Sequence, residues 1–365
     1  MISIKTPTLV VDLSKVERNI KRMADKFKQN NILFRPHFKT HQSHFIANMF
    51  RTEGINKCTV SSVGMARYFA EDGWDDITIA FPANVLEADE MNDLAQQIQL
   101  NILVDSVEKV RILADKITAR IDLFVEIDTG YFRSGILIQK LKDIENIVQE
   151  IERVPQFSFV GFLSHTGNTY TQNSPLEIIS LFDISRKKLL ELKHHFLNDY
   201  PQLILSMGDT PASSLSIEFE GIDEIRPGNF VFFDSMQYLL GSCKLEDIAV
   251  VVYCPVVAKY PERNQVVIYA GGVHLSKEKT LWNGREVYGF VSIPSQNNFG
   301  QILENSYIES LSQEHGMVRI QTPALEKIKL GDIVAVYPIH SCMTVDLNKE
   351  FISLEGKCIS KYRTY

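Results

Sequence analysis

The length, composition and charge of the chain are those of a globular protein with more than one domain. Its 365 residues are 45% hydrophobic and 23% charged, which is the ordinary balance for a soluble globular chain. The net charge of −7 argues against general nucleic-acid binding and favours a small-molecule ligand. The sequence contains no apolar run of about 18 residues, so no membrane-spanning helix is expected.

The first residues and the cysteines predict a cytoplasmic location with reduced thiols. Residues 1–13 lack the basic-then-apolar layout of a signal peptide. The cysteine count is odd and the spacing is wide, which argues against a disulfide framework. The cysteines are Cys58, Cys243, Cys254, Cys342 and Cys358.

Short β-rich runs, nearly all followed by a helical pattern, occupy the first two thirds of the chain. A strand at Thr8–Asp12 and a helix precede them. Such alternation predicts βαβ units, and eight of them over about 240 residues predict an α/β fold with a closed (β/α)8 TIM barrel. The eight runs begin at Ile32 and continue with Cys58–Ser61, Ile77–Phe81, Leu100–Val104, Ile121–Ile127, Phe157–Leu163, Leu203–Ser206 and Glu224–Phe233.

A doubly wound open sheet is the competing architecture, but no GxGxxG fingerprint follows the first strand. In a barrel, active sites lie at the C-terminal ends of the strands. Several residues that are suited to catalysis or ligand binding fall just after predicted strands, which favours the barrel. These residues are Lys39, Arg133, His165, Asp209 and Gly228.

The sequence pattern changes after about Ser242. Short β runs there are joined by turns rather than by helices, which predicts a second, smaller all-β domain. We therefore expect a barrel domain over residues 8–242 and a β domain over residues 243–365, with residues 1–7 joining the β domain.

The basic stretch Phe34–His41 is the first candidate for chemistry. Read as an extended strand, it places Arg35, His37, Lys39 and His41 on one face. Four potential cations repel one another unless an anion lies among them, and crowding disfavours the charged form of a lysine. An amine nucleophile needs that uncharged form. The stretch predicts a reactive Lys39 beside a bound anion, with a solvated basic edge strand as the alternative.

A second candidate is the pair His340 and Cys342 in the run PIHSC. On an extended segment both side chains point the same way, and thiolate and imidazole are ligands that zinc prefers. Two ligands cannot close a structural site, so the pair predicts an open metal site that water or substrate completes. A buried cysteine beside an unrelated histidine is the alternative.

The loops after strands five to eight carry the remaining candidates. Arg133 suits a phenolate or carboxylate oxygen because it stays charged. His165 could stack on an aromatic ligand, and Tyr170 could hydrogen-bond that ligand. The runs Gly208–Pro211 and Arg226–Asn229 occupy the two loops that form the usual phosphate site of a barrel. An exposed loop arginine and a structural histidine are the ordinary alternatives.

Together these groups suit pyridoxal phosphate held as a Schiff base on Lys39. The chain also resembles the D-threonine aldolase and D-serine dehydratase family of alanine-racemase-like, fold-type III pyridoxal phosphate enzymes. Seven motifs carry the resemblance in the family's order: RPHFKTH, DTGYFRSG, SH-x-G-x-x-Y, GDTP, RPGNFVFFD, LSQEHG and PIHSCMT. The resemblance covers nearly the whole chain and implies a racemase-like barrel, a β domain and a homodimer.

The resemblance also implies roles for individual residues. Lys39 carries the cofactor, and His340 with Cys342 binds a divalent metal, with zinc favoured over manganese or magnesium. His165 flanks the ring, and Arg133 approaches the phenolic oxygen. The candidate cofactor-binding residues are Lys39, His37, Arg133, His165, Tyr170, Asp209, Thr210, Arg226, Gly228 and Asn229.

Two points stay open at this stage: the partner of the ring nitrogen and the identity of the substrate. Thr210, Gly228 and Asn229 are expected to hold the phosphate, whereas Tyr170 and Arg226 are rival partners of the ring nitrogen. The family's Asp-Ala-Gly run reads Tyr-Ala-Gly-Gly here, which leaves the substrate open.

We predict a metal-dependent lyase that acts on D-amino acids with a β-hydroxyl group, either as a dehydratase or as an aldolase. In the dehydratase, Lys39 removes the α-proton. A racemase of the same fold, a non-catalytic pyridoxal phosphate-binding protein and a Schiff-base barrel without that cofactor are the alternatives.

Overall fold

The computed structural model describes residues 4–295 and 297–363. In that part of the chain, no helix has the length and apolar character needed to cross a bilayer. The strands are β1 (Thr8–Val11), β2 (Leu33–Phe34), β3 (Cys58–Val60), β4 (Asp76–Pro82), β5 (Gln99–Val104), β6 (Ile121–Asp128), β7 (Ile136–Leu137), β8 (Phe157–Leu163), β9 (Ile204–Met207), β10 (Glu224–Ile225), β11 (Val250–Tyr260), β12 (Gln265–Tyr269), β13 (Thr280–Trp282), β14 (Arg285–Val287), β15 (Gly289–Ser292), β16 (Ile302–Leu311), β17 (His315–Arg319), β18 (Ile333–Pro338), β19 (Glu350–Ser353) and β20 (Cys358–Ser360). The helices are α1 (Leu13–Gln29), α2 (His44–Thr52), α3 (Val63–Glu71), α4 (Ala88–Ala95), α5 (Val107–Ala114), α6 (Leu141–Glu152), α7 (Pro175–Phe196), α8 (Thr210–Leu215), α9 (Ser235–Leu239), α10 (Gly272–Leu275), α11 (Thr322–Lys327) and α12 (Ser341–Leu347).

Eight parallel strands form the predicted barrel, in the order β2-β10-β9-β8-β6-β5-β4-β3. The ring closes just beyond β2, where His37 forms a parallel bridge with Thr59 of β3. Two backbone bonds hold this closure: Phe38 N–H donates to Thr59 O at 2.8 Å, and Thr59 N–H donates to Pro36 O at 2.9 Å. The prediction of a (β/α)8 barrel is confirmed.

Apolar layers inside and outside the strands stabilise the barrel. Leu103, Phe124 and Leu163 pack together as one buried cluster of strand residues. The outer helices are amphipathic: α6 buries Ile144, Ile147, Val148 and Ile151, which recur at helical spacing on one face. This burial of apolar surface drives the helices onto the sheet.

The basic stretch departs from its predicted alternation. Strand β2 ends at Phe34, and a turn covers residues 38–41. Arg35 and His41 are buried, at 3% and 0% exposure, whereas Lys39 is exposed. The prediction that Arg35, His37, Lys39 and His41 share one face is therefore wrong, because the period-two pattern applies only while the chain stays extended.

Arg35 instead enters the N-terminal end of the barrel. Its Nε donates to Glu224 Oε2 and its Nη1 donates to Asp76 Oδ1, both at 2.6 Å. Burial disfavours a charged guanidinium, but these two carboxylates raise the pKa of Arg35 above its ordinary value. A buried ion pair thus links the first residues of β4 and β10.

The second sheet is mainly antiparallel and contains the remaining long strands. Its order is β12-β17-β16-β15-β18-β11-β1-β19-β20, and a further β11–β12 pairing closes six of these strands into a ring. Strand β1 pairs antiparallel with β11 and parallel with β19. The smaller β-rich domain of the predicted fold class is confirmed.

The chain forms two compact units. One comprises Lys21–Gly228, and the other comprises the residues up to Ile20 together with Asn229–Arg363. The predicted domains divide after Ser242, whereas these units divide after Ile20 and Gly228. The expectation for residues 1–7 falls partly on residues 1–3, which lie outside the described part of the chain.

Replacing Arg35 by methionine leaves two buried carboxylates without their cation. We expect Arg35→Met to lower the free energy of unfolding by about 3–5 kcal/mol, measured by urea denaturation. Arg111→Met is the matched control, because Arg111 pairs with Glu150 at the surface and its loss is expected to change little. Equal denaturation midpoints for the two variants would contradict this role of Arg35.

Candidate active site

Lys39 lies in the turn at the C-terminal end of β2, where the barrel fold places active sites. Its backbone N–H donates to His37 Nδ1 at 3.4 Å. Gly228 packs so closely on this turn that an added Cβ would lie 2.7 Å from His37 O and 3.1 Å from Thr40 Oγ1. The turn and the Gly228 loop therefore fit each other only with glycine at position 228.

Several cations converge on the same region. Burial lowers the pKa of His37 well below its ordinary value, and the nearby charges of Lys39, Arg226 and Arg133 lower it further. Burial and then Arg133, with Lys39 and Arg226, lower the pKa of His165 to about 3. The two histidines are neutral at pH 7, and the three cations form a positive field. Such a field fits a ligand with phosphate and phenolate groups.

Asp128 builds the loop that carries Arg133. Its carboxylate accepts N–H bonds from Gly130, Tyr131 and Phe132 at 2.7–2.8 Å. Sequence reasoning named this motif but missed the role of Asp128. An aspartate two residues before a glycine was the available signal, since Asp commonly binds the backbone N–H groups of the turn that follows it.

Tyr131 is a further site residue that the sequence reasoning missed. Its ring lies edge-on to the ring of His165, with centroids 5.9 Å apart, and the Arg133 guanidinium lies 5.4 Å from its centroid. An added Cβ at Gly167 would collide with the same ring. The ring of His165 is oriented by Nδ1, which lies 3.0 Å from Gly208 O.

Asp209 is the N-cap residue of helix α8, and its predicted contact with the cofactor stays a prediction. The carboxylate is buried and accepts hydrogen bonds from Ala212 N–H, at 2.7 Å, and from the Thr166 hydroxyl. Burial raises the pKa of Asp209 to about 6. Its side-chain bonds fix the start of α8 and the loop after β8.

Tyr170 also lies at this helix start. Its hydroxyl oxygen accepts the N–H of Thr210 at 3.3 Å. The predicted phosphate loop and the predicted partner of the ring nitrogen are therefore neighbours in the structure.

Arg226 is held from inside the barrel. Its side chain is buried, with Nε donating to Ser206 Oγ at 2.7 Å and Nη2 donating to Ser164 O at 2.8 Å. Burial lowers the pKa of Arg226 to about 10, so the guanidinium stays charged at neutral pH.

His340 and Cys342 lie at the junction of β18 and α12, not on an extended segment as expected. His340 is the N-cap residue of α12, and Cys342 lies in its first turn. The Asn229 side-chain amide donates to Asp234 Oδ2 at 2.7 Å, Ser341 Oγ at 3.0 Å and Cys342 Sγ at 3.6 Å. The amide nitrogen of Asn229 thus supports the predicted metal motif, whereas its side-chain oxygen takes no part in these bonds.

The two predicted metal ligands do meet. Burial lowers the pKa of His340, but hydrogen bonding and charge from Cys342, with Asp234 and Glu278, raise it to about 9. Within the described residues, no group of three or more His, Cys, Asp or Glu side chains is arranged for a metal ion. A thiol beside an imidazole fits an open divalent site that is completed by ligands from outside the protein.

Known protein families match both the N-terminal and the C-terminal part of the chain. Residues 11–236 match the family described as alanine racemase, N-terminal domain. The chain belongs to this family. Residues 249–354 match the putative serine dehydratase domain.

Similar proteins span nearly the full length of the chain. D-serine dehydratase of Dictyostelium discoideum is 28% identical over 99% of this chain and 96% of its own length. D-threonine aldolase of an Arthrobacter species is 22% identical over 94% and 88%. The solved D-threo-3-hydroxyaspartate dehydratase of Delftia sp. HT23 shares the fold, with a TM-score of 0.90 and 23% identity over 100% and 99% of the two chains. The predicted resemblance is confirmed, as is the prediction of an enzyme of this family.

Proposed function

We propose that the protein is a pyridoxal phosphate- and divalent-metal-dependent lyase of D-amino acids that carry a β-hydroxyl group. The observation that carries the proposal is the cluster of Lys39, Arg133 and Arg226 around two neutral histidines at the barrel mouth. One amine and two guanidiniums in this place suit an aldehyde cofactor with phosphate and phenolate groups. The names of the relatives support the same class of reaction.

Each group would have a defined role toward the cofactor. Lys39 would attach it as a Schiff base, Arg133 would neutralise its phenolic oxygen, and His165 would flank the ring. Gly228, through its backbone N–H, and Thr210 would hold the phosphate. When bound, pyridoxal phosphate supplies an electron sink that weakens the bonds to the α-carbon. Lys39 then moves the α-proton.

We assign the ring nitrogen to Arg226 rather than to Tyr170. The hydroxyl of Tyr170 accepts the Thr210 N–H at the start of α8, which is the phosphate side of the proposed site. Arg226 is fixed by Ser206 and Ser164 at the end of β10.

His340 and Cys342 would hold the metal ion. Solved structures of D-threo-3-hydroxyaspartate dehydratase include a histidine-to-alanine variant and, two positions further on, a cysteine-to-alanine variant in a metal-free form. That spacing equals the spacing of His340 and Cys342. A thiolate ligand favours zinc over manganese or magnesium. The ion supplies Lewis-acid chemistry for a β-hydroxyl group.

Among the two reactions, we favour dehydration of D-serine. Cys342 provides a soft ligand, and the His-x-Cys motif resembles that of the zinc-dependent dehydratases, whereas the aldolases more often have aspartate, a harder ligand, at that position. The homodimer that the resemblance implies stays a prediction.

The substrate prediction is tested with purified protein loaded with pyridoxal phosphate and zinc. We expect pyruvate and ammonia from D-serine, and no pyruvate from L-serine. Glycine and acetaldehyde from D-threonine, without pyruvate from D-serine, would make the enzyme an aldolase. Neither reaction with zinc or manganese would contradict the lyase proposal.

The metal prediction is tested by Cys342→Ala with Cys358→Ala as the matched control, because both thiols lie in the same unit and Cys358 is exposed. We expect Cys342→Ala to bind zinc at least about tenfold more weakly, since it removes a direct ligand. Its turnover of D-serine is expected to fall accordingly, while Cys358→Ala stays at the wild-type level. Metal content is measured by elemental analysis after dialysis. Unchanged zinc content in Cys342→Ala would contradict the assignment.

A further inference from the structure

A continuous chain of buried polar groups leads away from Arg226 into the barrel. Arg226 Nε donates to Ser206 Oγ at 2.7 Å, and the Ser206 hydroxyl donates to Glu224 Oε1, also at 2.7 Å. The other carboxylate oxygen of Glu224, Oε2, accepts from Arg35 Nε at 2.6 Å. All four side chains are buried, with exposed fractions of 0–4%.

The chain of contacts continues to the protein surface. Arg35 Nη1 donates to Asp76 Oδ1 at 2.6 Å, and Lys57 Nζ lies 2.6 Å from Asp76 Oδ2. The Lys57 side chain is 31% exposed, so this series of contacts reaches solvent at Lys57. Burial raises the pKa of Asp76, but Arg35 and Lys57 outweigh it and lower the pKa below its ordinary value.

We propose that Glu224, acting through Ser206, is a positioning residue that fixes the guanidinium of Arg226 for its contact with the cofactor ring. This inference rests on the proposed function, in which Arg226 faces the ring nitrogen. Arg226 would then be oriented from the barrel interior through Ser206, in addition to its bond to the backbone oxygen of Ser164.

The charges along this chain of contacts explain why Glu224 can serve two arginines. Arg35 pairs with the carboxylate of Asp76 as well as with that of Glu224, so the negative charge of Glu224 also acts on Arg226. The other charged groups that act on Arg226 are Glu126, which attracts it, and Arg133, which repels it. The Ser206 hydroxyl lies between Glu224 and Arg226: it donates to Glu224 and accepts from Arg226. Two linked hydrogen bonds of this kind strengthen each other and fix the direction of the guanidinium.

A purely structural role would predict something different. Buried ion pairs with satisfied hydrogen bonds also occur as ordinary parts of a protein interior. In that case the loss of the Ser206 hydroxyl would affect stability only. A positioning role requires that the same loss changes the bound cofactor as well.

The chain offers a matched pair of variants. Ser206→Ala removes the hydroxyl that joins Arg226 to Glu224. Ser164→Ala removes an equally buried hydroxyl from the neighbouring strand end, but that hydroxyl donates to Ile127 O at 2.8 Å. The second acceptor of Arg226 is the backbone oxygen of Ser164, which this control keeps.

The test uses full-length protein titrated with pyridoxal phosphate. We expect Ser206→Ala to bind the cofactor about tenfold more weakly, because it removes a hydrogen bond to a charged group. The pH midpoint of the visible absorbance of the bound cofactor is expected to rise, because a fixed cation lowers the pKa of a nearby imine and a mobile cation does so less. Ser164→Ala keeps both wild-type values, and Ser206→Thr restores them.

The outcomes separate this inference from the proposed function. If Ser206→Ala and Ser164→Ala give the same affinity and the same midpoint, the positioning role is overturned while the proposed function stands. If the wild type shows no visible absorbance with pyridoxal phosphate, the proposed function fails, and this inference falls with it. Should Ser206→Ala not fold, Ser206→Cys replaces it, because the thiol fills the space but accepts hydrogen bonds poorly.

Discussion

The buried cation at position 35 is the constraint on which the barrel and its mouth depend. Strand β2 contains only two residues, so the ring of strands has little backbone pairing at its point of closure. Arg35 bonds to both neighbours: its N–H donates to Ile225 O at 3.0 Å, and its C=O accepts from Thr59 Oγ1 at 3.0 Å. Its side chain adds the ion pairs with Asp76 and Glu224. One residue thus joins β10, β3 and β4.

The position of Lys39 follows from this closure and from the aromatic packing beside it. Phe38 is fully buried and contacts the rings of His41, Phe50, Phe69 and Trp74. Burial lowers the pKa of His41 to about 3, so this histidine is a neutral part of the apolar cluster. Lys39 lies between two buried residues and turns outward. Lys39, the proposed site of cofactor attachment, therefore lies in a turn that is anchored on both sides.

Much of the fold could be predicted from the sequence, because the alternation of strand and helix patterns is local. The eight barrel strands needed no long-range information. The orientation of Arg35 did need it, since its partners lie 41 and 189 residues away. Period-two alternation also fails when a turn replaces the strand, as it does after His37.

In the candidate site, too, some features follow from local sequence and others depend on the folded structure. Residue types and motif order point to Lys39 and the His340–Cys342 pair as candidate site residues, which stay predictions. The contacts that support these candidates were not predictable in this way. Asp209 is a helix cap, and the Asn229 amide donates to Cys342 of the predicted metal motif. Caps and amide contacts depend on which backbone groups are left unpaired in the folded chain, and that is a property of three-dimensional structure.

Covalent attachment of the cofactor tests the central claim most directly. Protein incubated with pyridoxal phosphate is reduced with borohydride, digested, and mapped by peptide mass spectrometry. The account predicts a reduced phosphopyridoxyl group on Lys39 and none on Lys188, a partly buried lysine of the same barrel unit. Labelling of another lysine, or of none, would contradict it.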